Sequence, residues 1–91
     1  MITKSLLNGG AVTKISVGRA RRWAHIANRS DATILLKYDG SDTALAEDNG
    51  IQLAAGAILM LNNSGHDQEF FHDIFALYMG VGNKAVVVHE G

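Results

Sequence analysis

The sequence predicts an all-β fold, a small antiparallel β-sandwich of seven or eight short strands. Three observations predict it. Turn signals built from Gly, Asn, Asp and Ser recur about every eight to twelve residues. The runs between them are rich in β-branched and aromatic residues and alternate with period two. No stretch carries the 3.6-residue apolar repeat of an amphipathic helix.

Met1 to Gly10 reads as an N-terminal arm or short first strand, closed by Asn8-Gly9-Gly10, and residues 11–91 as the sandwich domain. Arms of this kind often lie across a neighbour in assemblies, and that placement is expected here. Ala11 to Val17 alternates: Val12, Lys14 and Ser16 face one way, Ala11, Thr13, Ile15 and Val17 the other. Gly18 to Arg22 breaks the strand with a basic segment.

Trp23 to Tyr38 organises the chain, as two apolar runs around Asn28-Arg29-Ser30-Asp31. Asn, Ser and Asp bond their own backbone and tolerate left-handed dihedrals, so the break reads as a turn. Trp23, His25 and Ala27 share one face of the first run, Ala24 and Ile26 the other; Trp23 is expected in the core. In the second run Ile34, Leu36 and Tyr38 oppose Thr33, Leu35 and Lys37, so both faces carry apolar residues. That pattern suits a strand inside a sandwich or one whose outer face meets a partner.

Asp39 to Asp42 is a turn, and Thr43 to Asp48 fits either a helical turn or a loop. After Asn49-Gly50, Ile51 to Leu53 is a short strand; Ala57 to Leu61 reads as a buried strand ending at Asn62-Asn63-Ser64-Gly65. His66 to Asp73 is the most polar patch, Ile74 to Met79 a strand and Gly80-Val81-Gly82-Asn83 a hairpin turn. Lys84 to Glu90 closes the chain, its Val86-Val87-Val88 run disfavouring helix through lost χ1 freedom. The series describes a jelly-roll-like sandwich.

A chain of 91 residues is one domain and buries only roughly 60–65% of its unfolded surface, so its core is thin. With no cysteine, disulfides and thiolate zinc sites are excluded, and self-association is the expected remedy. No run is long enough for a membrane helix, and Met1 to Leu7 lacks the apolar core of a signal peptide; assembly in a cytoplasm is expected. Net charge is −1, yet residues 1–30 hold Lys4, Lys14, Arg19, Arg21, Arg22 and Arg29 with no acid, while nine acids face Lys37 and Lys84 in the rest. Lys4, Arg19, Arg21 and Arg22 are therefore candidate contacts to an acidic partner surface.

Catalytic signals are weak. His66, Asp67, Glu69, His72 and Asp73 are the one cluster of metal-ligand types, but His66 and His72 stand about 20 Å apart on an extended chain. Gly80-Val81-Gly82 lacks the third glycine and the strand–helix context of a dinucleotide site. Ser64 and His66 have no third member for a triad. Arg19, Arg21, Arg22 and Trp23 could grip phosphate and stack a base, though a single aromatic and a negative overall charge make nucleic acid the weaker reading. No catalytic residue, cofactor or metal is assigned.

Three stretches resemble those of small bacteriophage virion β-sandwich proteins. Arg22-Trp23-Ala24-His25-Ile26-Ala27-Asn28-Arg29-Ser30 is similar to their alternating strand with Asn-x-Ser, and Asn49-Gly50-Ile51-Gln52-Leu53-Ala54-Ala55-Gly56 to their Asn-Gly-Ile-x-Leu-x-x-Gly turn, with Ala55 where proline is expected. Asp73 to Leu77 and Lys84 to Gly91 resemble their closing strands. The resemblance implies a non-enzymatic structural subunit, such as a capsid decoration (cement) protein or a head–tail component. It implies a homo-oligomer, often a trimer, located in the virion and contacting the major capsid or another virion protein. The alternative is a β module that binds carbohydrate or nucleic acid, with Trp23, Tyr38, Tyr78 and the 66–73 loop supplying the carbohydrate site. A small cupin-like enzyme is the third and weakest class.

Overall fold

Two four-stranded antiparallel sheets face each other in the computed structural model, which describes residues 1–18, 22–37, 50–62 and 73–91. The strands are β1 (Ile2–Asn8), β2 (Thr13–Ser16), β3 (Trp23–Asn28), β4 (Ile34–Lys37), β5 (Ile51–Leu53), β6 (Ile58–Asn62), β7 (Ile74–Leu77) and β8 (Asn83–Glu90). One sheet has the order β1-β8-β3-β6, the other β2-β7-β4-β5. Of the consecutive strands only β4 and β5 are ladder neighbours; every other connection crosses between sheets. This is the jelly-roll order, in which two sheets are wound together.

The core follows from strand parity. Leu7, Ile15, Ala24, Ile26, Ile34, Leu36, Leu53, Ile74, Ala76, Val86 and Val88 meet between the sheets, each at most 6% exposed. Full burial of one such large side chain is worth about 1.5–3 kcal/mol. Leu35 and Leu77, cross-strand partners, form a second small cluster on the other side of β4 and β7. Apolar residues on both faces of β4 are thus accounted for.

Of the two readings of the N-terminal segment the first strand holds: β1 pairs with β8 from Ile2↔His89 to Asn8↔Asn83, and the Met1 ammonium donates to the Glu90 carbonyl at 2.8 Å. Several other expectations are corrected. Strict alternation in β2 fails because the β2–β7 register shifts between Lys14 and Ser16, a bulge that turns both Ile15 and Ser16 inward. Gly80 to Asn83 is not a hairpin turn, since β7 and β8 lie in different sheets. β6 is an edge strand with Ile58 and Met60 exposed, not a strand buried on both faces. Trp23 points outward because Ala24 and Ile26 hold the inward parity of β3. The segments around Asp39–Asp48 and His66–His72 lie outside the described residues.

The Asn28–Ser30 and Ile51–Gly56 stretches of the resemblance meet in space. Asn28 is fully buried, and its Nδ2 donates to the carbonyls of Ala32 (2.7 Å), Leu53 (2.9 Å) and Ala54 (3.1 Å). Its Oδ1 accepts from the Ser30 amide and hydroxyl. The turn Ala54–Ala57 closes through Ala57 N–H to Ala54 O, with Gly56 at φ 76° in its third position, where glycine avoids the Cβ penalty. Ala55 occupies the second position of that turn, which proline favours but does not own.

Candidate functional site

The outward side chains of the β1-β8-β3-β6 sheet stand in rows set by the two ladders. Ile2, His89, His25 and Met60 form one row across all four strands. Lys4, Val87, Ala27 and Ile58 form the next. Beyond it Leu6 stands opposite Ala85, whose carbonyl accepts from the Arg29 amide. At the other end Trp23 tilts against His25, ring centroids 5.1 Å apart.

The relief of this face is a consequence of residue size. β1 contributes Ile2 (67% exposed) and Leu6 (59%), and β6 contributes Ile58 (58%) and Met60 (65%). Between these two ridges lie the short side chains Ala27, Ala85 and Val87. The result is a shallow trough of about 330 Å³ lined by His25, Ala27, Arg29, Ile58, Val87 and His89. Exposed large apolar side chains scattered singly are normal; four in two parallel lines on one sheet are a patch.

Its electrostatics are one-sided. Lys4 and Arg29 are its cations, His25 and His89 its imidazoles, and no Asp or Glu side chain among the described residues joins them. The described acids lie elsewhere. Glu90 is buried under the opposite parity, where the Ser16 hydroxyl lies 2.8 and 3.0 Å from its two carboxylate oxygens. Asp73 pairs with Lys14 at 3.2 Å and accepts from the Gly18 amide. Asp31 meets Lys84 at 2.6 Å; the hydrogen bond from Lys84 holds the Asp31 carboxyl below its usual range, and the same bond raises Lys84.

Of the four candidate contacts, Lys4 sits within this face. Arg22 is exposed just before β3, where its amide donates to the Gly91 carbonyl. Arg19 and Arg21 lie outside the described residues. Sequence reasoning placed Trp23, His25 and Ala27 together but missed their union with Ile2, Leu6, Ile58, Met60, Val87 and His89. The available signal was β6, apolar at both parities yet bounded by polar turns.

The cluster from His66 to His72 and the Ser64–His66 pair also lie outside the described residues, and Asp73 is engaged as above. Among the described residues no three metal-ligating side chains come together. No helix among them is long and apolar enough to cross a membrane.

These features define an eight-stranded jelly-roll sandwich with an uncovered apolar sheet face. No family model matches the chain, and no curated protein does. Solved structures share the fold. One described as the crystal structure of PirA is 12% identical with a TM-score of 0.68, covering 99% of this chain and 93% of its own. A de novo designed double-stranded β-helix, solved by NMR, is 13% identical with a TM-score of 0.62, covering 100% of this chain and 99% of its own. Identities this low carry the fold alone.

Proposed function

We propose that this chain is a non-enzymatic structural subunit of a phage particle, such as a capsid decoration protein, working through contacts with copies of itself and with the shell. The observation that carries the reading is the bare face of the β1-β8-β3-β6 sheet. Its exposed Ile2, Leu6, Ile58 and Met60 are expensive to leave in water, and covering them supplies the burial that a thin core lacks. The resemblance of the Arg22–Ser30, Asn49–Gly56 and closing-strand stretches to virion β-sandwich proteins supports the location and a trimeric state.

The test is to purify the particles that carry this chain and locate it by cryo-microscopy. The reading expects regular copies bound on the shell or head–tail parts. Recovery only in the soluble fraction, with none in particles, overturns it.

A second reading, carbohydrate binding, rests on Trp23, 38% exposed and tilted against His25 on the same face. Glycan titration followed by Trp fluorescence separates the two, since the structural role predicts no change.

A further inference from the structure

We infer that the outer face of the β1-β8-β3-β6 sheet is the contact between copies of this chain, with the Ile58–Met60 ridge of one copy seated in the Ala27–Ala85–Val87 trough of the next. The inference rests on the self-association in the reading above and says which surface makes it.

Two observations carry the choice of a second copy as occupant. The first is area. Ile2, Leu6, Ile58, Met60 and Trp23 are each between 38% and 67% exposed. At roughly 200 Å² for a large side chain they offer on the order of 500 Å² of apolar surface. Adding the trough and its histidines brings the face to roughly 600 Å² per partner, the lower end of the range for specific interfaces. The second is shape. The same face carries both a ridge of long side chains and a trough of short ones, so the ridge of one copy can enter the trough of another.

The charges do not obstruct the fit. Lys4 is on the edge strand β1 and Arg29 is exposed just past the end of β3, so both long stems can carry their charge to the rim.

The test compares the solution mass of the wild type with that of Ile58→Lys and Met60→Lys. Both positions are more than half exposed, so the monomer should fold, which circular dichroism checks. Val81→Lys, at a position 94% exposed and off the face, is the control. As a second measurement, Met60→Cys places a single thiol in a chain with no cysteine, and a short bis-maleimide reads proximity between copies. The inference expects an oligomer for wild type and Val81→Lys, at least tenfold weaker association for the two ridge variants, and cross-linking at position 60. An oligomer that persists unchanged in both ridge variants, without cross-linking, overturns the assigned face and leaves self-association standing. A wild type that stays monomeric at about 100 μM, well above a micromolar Kd, overturns both the face and the self-association, while the particle location is decided separately by microscopy.

Discussion

Asn28 donates from Nδ2 to the backbone carbonyl of Leu53, 2.9 Å away and 25 residues along the chain. One buried side chain thereby ties the end of β3, in one sheet, to β5, in the other. The same amide serves Ala32 and Ala54, which keep second donors in the Ser30 hydroxyl and the Ala57 amide, while the Ser30 amide and hydroxyl depend on Asn28 Oδ1.

Asn28→Ala should therefore cost about 1–3 kcal/mol, the range for a buried group left unsatisfied. Asn28→Asp should cost as much, because a carboxylate has no hydrogens to donate. Urea unfolding measures both; a loss under about 1 kcal/mol would show that the hub is dispensable.

Ser16 and Glu90 pose a related question inside the sandwich. The hydroxyl lies 2.8 Å from one carboxylate oxygen of a residue only 1% exposed. Ser16→Ala removes a hydrogen-bond partner of a buried carboxyl group and should cost about 1–3 kcal/mol. Thermal unfolding should show the loss; an unchanged midpoint would mean that other partners of Glu90 compensate.

The Asp31–Lys84 pair is exposed, and its contribution is small and screened by salt. Its pH dependence is nonetheless definite in sign. Asp31 is lowered from 3.8, so its contribution is present above that value and fades as pH falls through the lower folded one. Lys84 is raised from 10.5, so its contribution is present below that value and fades as pH rises through the higher folded one. The stability gap between wild type and Asp31→Asn should be widest between these limits and close at both ends. A gap that grows on acidification would contradict the assignment.

How much of this was legible in the sequence depends on the element. The strand runs stand where alternation and turn residues put them, and the inward parity of Ala24 and Ile26 follows from Trp23, His25 and Ala27 facing the other way. Period two identifies which residues share a face but not which face is wet, so Trp23 was read as core. The β2 bulge leaves no mark in Lys14-Ile15-Ser16, because a register shift depends on the partner strand. Gly80-Val81-Gly82 has turn chemistry that serves a hairpin and a sheet crossing equally. The site itself joins β1, β3, β6 and β8, and no spacing along the chain announces that Ile2, His89, His25 and Met60 form one row.

Oxidative footprinting over a dilution series reads out whether the β1-β8-β3-β6 face is covered when the protein is at work. Met60 on this face and Met79 in the β7–β8 connection are 65% and 56% exposed, so the molecule supplies its own control. Met60 and Trp23 should become protected as concentration rises while Met79 stays reactive. Equal reactivity of Met60 and Met79 at every concentration, and in assembled particles, would contradict it.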